Sequence, residues 1–275
     1  MRTIIAIMRR NIGSFLQDKM RLILTLLMPA FMVFTASFFM RSGTVDVTSP
    51  MNYLVSGVVL SIVFQGAFNN SDMVLDDIAS GFMREIIVAP VSKNSIALGN
   101  IFAAGVISAI QGVLVMVVGF LIGFRTSVMG VLILVLLMLL SGIIFSTIAL
   151  FLSLSARNQA NYQMVSSLAL MPAIFLSGAY IPTTLIPGVL KILVYINPLT
   201  YLTGAFRFVA MDMYSLPVDE LVRQGIAFQI GNITITPTVT WIFILALGAV
   251  SLFLCVNKFR GINLSEIQGM RRFGR

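Results

Sequence analysis

Long apolar runs alternate with short polar segments along the whole chain. From these runs we predict six membrane-spanning helices, at residues 22–40, 51–68, 96–124, 129–154, 162–181 and 239–256. Each run has about the 17–25 apolar residues that cross the hydrocarbon core of a bilayer, or somewhat more. Gly, Ala, Ser and Met recur within the runs, which favours helices over the alternating strands of a barrel. The pattern therefore predicts an all-α integral membrane protein with one transmembrane domain over residues 1–275.

Residues 1–20 follow a different pattern, in which the apolar positions share one arc of a helix and the basic positions fall outside that arc. Six apolar residues fall within roughly 120° of the helical wheel. They are Ile4, Ile5, Met8, Ile12, Phe15 and Leu16. Ile7 breaks the pattern. We predict an interfacial amphipathic helix, with Arg9, Arg10, Lys19 and Arg21 at the membrane interface. The alternative is a basic flank that only orients the first span.

The segment 183–238 is apolar enough to suggest a seventh span. Lys191, the pair Asn197-Pro198 and Arg207 interrupt it. We therefore predict short re-entrant helices in the outer leaflet between spans five and six, followed by a small external cap. Polar backbone at such depth must be buried against protein.

Composition and charge narrow the class of protein. The chain is 58% hydrophobic and 10% charged, with a mean hydropathy of +1.00, which excludes a soluble domain. Most of its 18 Lys and Arg residues flank the predicted spans on one side of the membrane, which is therefore predicted to be the cytoplasmic side. Both termini are predicted to lie on that side, and the protein is predicted to reside in the cell membrane. This placement explains the net charge of +8 without a nucleic-acid partner. The chain has no His and one Cys, so we expect neither a disulfide within it nor a metal site.

A polar run, "DDIASGFMREIIVAPVSKNS", separates the second and third spans at residues 76–95. It belongs to a predicted cytoplasmic coupling region, residues 69–95. Within it, Gly81 and Pro90 bracket a short segment, 82–89, which we predict to be a helix because Gly permits a sharp entry and Pro ends the helix.

The predicted short helix has one apolar face. Phe82, Ile86 and Ala89 share that face, while Arg84 and Glu85 point elsewhere. A helix of this kind can dock into a groove of a partner protein, or it can pack on its own bundle, and the spacing fits both.

Two motifs resemble those of a known family. "GFMREIIVAPVS" is similar to the cytoplasmic coupling segment of type 2 ATP-binding-cassette (ABC) exporter permeases, especially the daunorubicin-exporter and nodulation-factor-exporter branch. The matching residues are Asp77, Gly81, Glu85, Pro90, Val91 and Ser92. "FLSGAYIPTTLIPGVLKILVYINPLTYLTGAFR" resembles the family's hallmark after span five. Arg84-Glu85 stands where many members have Glu-Arg, so the exact ion pairs with a partner differ.

The resemblance implies a permease without a catalytic site of its own. No stretch of these residues matches GxxxxGK[ST], the loop that cradles nucleotide phosphates. A family permease forms a homodimer or heterodimer and binds two copies of an ABC ATPase subunit, which holds the ATP and Mg; we expect no cofactor on this chain. Its substrate would be an amphiphilic or hydrophobic drug, lipid or lipid-linked molecule. The implied coupling residues are Asp77, Gly81, Phe82, Arg84, Glu85 and Pro90.

In the family, the substrate pathway runs at the dimer interface between spans two and five. The candidates implied here are Phe64, Gln65, Phe68, Asn69, Asn158, Phe175 and Ser177. The alternative for Gln65 and Ser177 is hydrogen bonding between helices. A stripe of small residues on span three, from Gly105 to Gly123, indicates close helix packing rather than a pore.

Two other functions fit parts of the sequence. Asn69, Asn70, Asp72, Asp76 and Asp77 resemble the magnesium-diphosphate motif of membrane prenyltransferases, but a second acidic cluster facing them is missing from the predicted topology. An ion-coupled secondary transporter requires ionisable residues inside its spans. The six predicted spans contain no Asp, Glu, Lys or Arg, which favours an external source of energy.

Overall fold

The computed structural model describes residues 1–41, 49–88, 91–156, 158–230 and 233–261. The side chains of residues 36–41, Arg84, Ile87, Val88, Leu185, Ile230 and Ile233 are outside that description. Pro90 and the side chain of Arg84, both predicted coupling residues, therefore lie outside the described residues.

The described residues fold almost entirely into helices. These are α1 Arg2–Gln17, α2 Lys19–Arg41, α3 Pro50–Ser71, α4 Met73–Ser80, α5 Phe82–Val88, α6 Lys93–Ile122, α7 Val128–Ser153, α8 Gln159–Leu176, α9 Lys191–Ile196, α10 Pro198–Ala210, α11 Val218–Arg223 and α12 Pro237–Gly261. A two-stranded antiparallel sheet joins β1 Phe228–Ile230 to β2 Ile233–Ile235. Short 3-10 turns lie at Thr183–Leu185, Gly188–Leu190 and Met213–Ser215.

Within the described ranges, four helical segments are long and apolar enough to cross a membrane. They are α6, α7, α12 and the segment Pro50–Ser80, which comprises α3 and α4. A fifth results if α9 and α10, bent by 83° at their junction, count as one span. A predominantly helical fold with several candidate membrane spans is thus confirmed, and the small sheet is a departure from the predicted all-α fold. The count of six stays a prediction, because α2 and α8, which cover predicted spans one and five, are not among these segments.

Helix α3 lies at the centre of the bundle, packed against α6, α7 and α10. Small residues of α6 bring the helices close together. A Cβ on Gly105 would lie 2.9 Å from the backbone of Ile143 on α7, and one on Gly112 would lie 2.5 Å from Val63 on α3. Van der Waals packing holds membrane helices together where small residues let them approach. At these positions the stripe of small residues is therefore a packing surface, as predicted.

The break between α9 and α10 occurs at the predicted interruption. The Asn197 side chain caps α10 by accepting from the backbone N–H of Leu199 at 3.1 Å, and its Nδ2 donates to the Ala173 carbonyl of α8 at 2.6 Å. Pro198 follows at the first position of the new helix, where its missing N–H costs nothing. Nearly all of α10 is buried, so its backbone is shielded by protein.

The bundle has two distinct ends. At one end, the cap end, the Asn52 amide donates to the carbonyls of Arg125 at 2.7 Å and Ala210 at 3.1 Å, and the cap that contains α11 and the sheet follows. The other end, the α1 end, carries α1, α4, α5 and the start of α6.

Candidate coupling site and groove

The short helix α5 is attached directly to the central helix of the bundle. Asp72, between α3 and α4, keeps a right-handed helical backbone, so α4 prolongs α3. Gly81 then ends α4 with φ of +90°, a left-handed conformation that costs residues with a Cβ 1–2 kcal/mol or so. The predicted sharp turn at Gly81 is confirmed, and a displacement of α5 would act on the end of α3.

Helix α5 has one buried side and one exposed side. Met83 is buried in a cluster with Val74 and Ile96, and Ile86 is half-buried beside it. Phe82, predicted to share one apolar face with Ile86, is 36% exposed, so Met83 rather than Phe82 is the residue of α5 that is buried in the bundle. The burial of Met83 was not predicted, because Met83 and Ile86 (i, i+3) share a helical face just as Phe82 and Ile86 (i, i+4) do.

Helix α1 packs along α6. Ile7, Asn11 and Phe15 are buried on this contact, and the Asn11 amide donates to Asn100 Oδ1 at 3.0 Å. Ile7 lies against Gly99, where a Cβ would come within 2.9 Å of the Ile7 Cβ. The residue that breaks the amphipathic pattern is therefore one of those that contact α6. The interfacial location of α1 stays a prediction, while the alternative of a mere basic flank does not account for this packing.

Arg10 joins α1 to both helices of the coupling region. Its Nη2 donates to Asp77 Oδ2 at 2.6 Å, its Nε to Asn11 Oδ1 at 2.9 Å, and its guanidinium lies 4.5 Å from the centre of the Phe82 ring. A charge-assisted bond and a cation–π contact thus converge on one side chain. Asp77, Phe82 and Arg10, each singled out from the sequence, are brought together here.

Arg21 connects the start of α2 to the end of α3. Its Nη2 donates to the Asn69 carbonyl at 3.1 Å and to Asn70 Oδ1 at 3.0 Å. Arg10 and Arg21, predicted to lie at the membrane interface, both donate hydrogen bonds to groups of the protein, and their location at the interface stays a prediction. Arg9 and Lys19, also predicted to lie at the interface, are exposed.

Helix α8 is anchored at the same level. The buried Tyr162 hydroxyl donates to the Phe68 carbonyl at 2.8 Å, and Gln163 Nε2 donates to Asp72 Oδ2 at 3.1 Å. The junction of α3 with α4 is therefore held by α2 on one side and by α8 on the other.

A groove of about 830 Å³ opens between α2 and α3. Val58, Ile62, Gln65 and Asn69 of α3 line it at helical spacing, so they form a continuous floor. Its wall is the apolar side of α2, while Asp18 and Arg21 lie where the groove reaches the α1 end. The arrangement, an apolar slot with polar groups at one end, suits an amphiphile.

Some of the predicted pathway residues lie on or near this groove. Gln65 is half-buried and donates to the Ser61 carbonyl of its own helix at 3.3 Å, and Asn69 is exposed. Phe175 is 49% exposed, and its ring centre lies 6.0 Å from that of Tyr180, which also lines the groove. The structure thus brings Gln65 and Asn69 together on one surface.

The other predicted pathway residues have structural contacts. Phe64 and Phe68 are buried, with the Phe64 ring edge-to-face to Phe68 at 5.1 Å and to Phe145 of α7 at 4.5 Å. Ser177 is buried, and its hydroxyl donates to the Ile174 carbonyl at 2.7 Å, a bond within its own segment rather than between helices. Asn158 caps α8 by accepting from the Asn161 N–H at 2.8 Å. A pathway role for these four stays a prediction.

Arg207 of α10 is a functional candidate that the sequence reading used only as part of a motif. It is buried, its guanidinium carbon lies 3.4 Å from the centre of the Tyr53 ring, and its Nη2 donates to the Ala179 carbonyl at 2.9 Å. Arg prefers such planar stacking because its charge is delocalised. The contact joins α3, α10 and the turn after α8 at the cap end.

Where the structure describes them, the acidic residues do not assemble into a metal site. Among the described residues, no group of three or more His, Cys, Asp or Glu side chains is placed to hold a metal ion. Asp72 and Asp77 lie at the α1 end, whereas Asp212 contacts Ser127 at the cap end at 3.4 Å.

The sequence matches known proteins over most of its length. Residues 2–211 match the family described as ABC-2 type transporter. The Inner membrane transport permease YadH of Escherichia coli (strain K12) is 24% identical over 197 residues, which cover 68% of this chain and 73% of YadH. The putative transport permease ycf38 of Pyropia yezoensis is 26% identical over 219 residues, or 76% of this chain and 71% of the relative.

A further relative is the putative transport permease ycf38 of Cyanophora paradoxa, 29% identical over 162 residues. The match covers 58% of this chain, and the chain spans about half the length of that relative, 55%.

Proposed function

The chain belongs to the ABC-2 type transporter family and is a multi-pass ABC transporter permease, and we propose that it is the permease subunit of an ATP-driven exporter that docks a separate ATPase through α5. The observation that carries this proposal is the two-sided helix α5. Its Met83 side is fixed in the bundle, while Phe82 and Glu85 are exposed at the α1 end.

The exposed side of α5 has the chemistry of a small docking site. An aromatic ring beside an acidic side chain offers an apolar anchor and one charge for a basic group of the ATPase. The helix has seven residues, which is long enough to enter a groove on a partner. Arg10 positions the Phe82 ring from behind, so the ring is ordered before the partner arrives.

The attachment of α5 supports a path for energy coupling. ATP binding would draw two ATPase subunits together and move α5 with them as a rigid body. Because α4 prolongs α3, that movement reaches Gln65 and Asn69 in the floor of the groove. The ATP and Mg are held by the partner in this account.

The groove between α2 and α3 is the proposed entry for substrate. Its apolar wall and its polar end at Asp18 and Arg21 suit a drug, lipid or lipid-linked molecule with a polar head. Export then starts from the cytoplasm or the inner leaflet, with the α1 end and both termini cytoplasmic. We propose that α10 and the cap face the outside.

Two exposed apolar faces flank the groove and fit a permease dimer. On α2 and α8 the exposed large residues are Met20, Ile23, Leu24, Leu27, Met28, Phe31, Phe34, Met164, Val165, Leu168, Met171 and Phe175. Apolar patches of this extent on a membrane helix face lipid or another subunit. Pairing with a second copy or a related permease would enclose the groove between two protomers.

The proposal is tested by co-purifying the ATPase with Phe82→Ala and Glu85→Lys permeases. We expect Phe82→Ala to weaken ATPase binding about 30-fold or more, since truncating a central aromatic residue costs about 2–4 kcal/mol. Glu85→Lys should weaken it further by like-charge repulsion. Both should leave the melting temperature of the isolated permease nearly unchanged, because neither side chain is in the core.

Matched controls are Phe253→Ala on α12 and Asp219→Lys on α11, both at exposed positions on helices other than α5. They should retain the ATPase. Unchanged ATPase binding by the Phe82→Ala, Glu85→Lys double variant would leave α5 a structural helix of its own bundle.

A further inference from the structure

The basic residues of the N-terminal segment fall into two groups. Arg10 and Arg21 bind protein groups, as described above. Arg2, Arg9 and Lys19 are exposed, and none has a side-chain partner among the described residues. Each of these exposed cations is solvated by water or binds an anion from outside the protein. These three residues are therefore where an anionic ligand can bind.

Arg2 and Arg9 form one surface on α1. They are seven residues apart, so at 100° per residue they project within about 20° of each other. Beside them, within about 60°, project Ile5 and Leu16, which are 62% and 50% exposed. The two arginines thus border an apolar ridge that no part of the described protein covers. We call these four residues the α1 border.

The surface beside the two arginines is open. Arg2 and Arg9 share a shallow, nearly flat stretch of α1 with Ala6, Gly13 and Ser14. A Cβ on Gly13 would have no neighbour within 4 Å, so a ligand can lie along the helix there. Ile5 borders this stretch on one side and Arg10 on the other.

We propose that the α1 border is a binding site for an anionic phospholipid of the cytoplasmic leaflet, with its phosphate between Arg2 and Arg9 and its acyl chains against Ile5 and Leu16. The location rests on the proposed orientation, in which the α1 end is cytoplasmic. Anionic lipids give that leaflet a negative surface potential, and amphipathic helices with basic borders bind it. The side-by-side order of cation and apolar ridge matches the order of headgroup and acyl layer.

A phospholipid fits this surface better than an acidic protein would. An acidic partner would complement Arg2 and Arg9 but would leave Ile5 and Leu16 exposed to water or unpaired against its rim. A lipid covers both. The bound lipid would also steady the coupling region, because Arg10 lies next to Arg9 on α1 and contacts Asp77 and Phe82.

The test is native mass spectrometry of the purified full chain in detergent, titrated with phosphatidylglycerol or phosphatidylcholine. The two lipids share the phosphate and acyl chains and differ in net charge. We expect the wild type to bind phosphatidylglycerol more tightly, with the preference falling as ammonium acetate is raised. Arg2→Gln with Arg9→Gln should lower phosphatidylglycerol affinity about 30-fold, at about fivefold for each basic residue near an anionic surface. Arg2→Lys with Arg9→Lys should retain most of the affinity, since the charge is kept.

The matched control, Arg125→Gln with Lys191→Gln, removes two exposed charges from outside the α1 end and should leave the lipid preference unchanged. An equal loss in this control, or no loss in Arg2→Gln with Arg9→Gln, would overturn the site. So would a loss of ATPase binding in Arg2→Gln with Arg9→Gln at unchanged lipid affinity, which would identify the surface as a protein contact. Lipid binding is measured without the ATPase, so its failure and the failure of α5 docking are separate results.

Discussion

Arg10 Nη2 lies 2.6 Å from Asp77 Oδ2, and this ion pair fixes the N-terminal helix to the end of the central helix across 67 residues of chain. The Asp77 side chain is 15% exposed and that of Arg10 37% exposed, so the pair is only partly screened by solvent. With the Phe82 ring on the same guanidinium, α1, α4 and α5 share one contact point.

The first prediction concerns this pair. Arg10→Gln and Asp77→Asn should each lower the melting temperature of the purified chain, and the double variant should be less destabilised than the sum. We expect a coupling free energy of about 1 kcal/mol, below the range for buried charge-assisted bonds because Arg10 is over a third exposed. A double-mutant cycle in detergent measures it. Strictly additive effects would mean that the ion pair contributes nothing.

The second prediction concerns the packing of α1 on α6. Gly99→Ala should destabilise the chain by about 1–3 kcal/mol, because the new methyl group would meet Ile7 at 2.9 Å from its Cβ. Gly13→Ala, on the open side of α1, should be neutral or stabilising by up to about 1 kcal/mol, since Ala favours the helix. Thermal melting of the two variants provides the comparison. If they melt alike, α1 does not pack as described.

The sequence predicted features that depend on local chemistry. Gly81 ends α4 because only Gly adopts a left-handed backbone cheaply, and Asn197-Pro198 breaks α9 from α10 because Asn caps and Pro starts a helix. The amphipathic character of α1 was predicted too. The contact of Ile7 with α6 was not predicted. A helical wheel shows which residues are apolar, but it does not show whether an apolar residue faces lipid or another helix.

Features that depend on which helix is a neighbour were not predicted. Apolar residues occur on every side of helix α3, so periodicity alone does not predict that Phe64 is buried while Gln65 lines the groove. Partners of Arg10 and Arg207 lie far away in sequence, at Asp77 and Tyr53, and no pattern along the chain encodes them.

The third prediction concerns Arg207. Arg207→Lys and Arg207→Met should both destabilise the permease, because each loses the stacked guanidinium and the bond to the Ala179 carbonyl. We expect Arg207→Lys to be the worse by about 1 kcal/mol or more, since it buries a compact, strongly hydrated charge without a planar partner. Thermal melting at pH 7 gives the order. If Arg207→Lys has the same melting temperature as the wild type, a positive charge alone is sufficient at this position.

The most direct test of the central claim, that α5 docks the ATPase, is site-specific photo-crosslinking in native membranes. A photoreactive phenylalanine is placed at Phe82 or, as the control, at the equally aromatic and more exposed Phe253 of α12. We predict a crosslink from position 82 to the ATPase and none from position 253. An ATPase that co-purifies with the permease and yet gives no crosslink at position 82, or equal crosslinks at both positions, would contradict docking through α5.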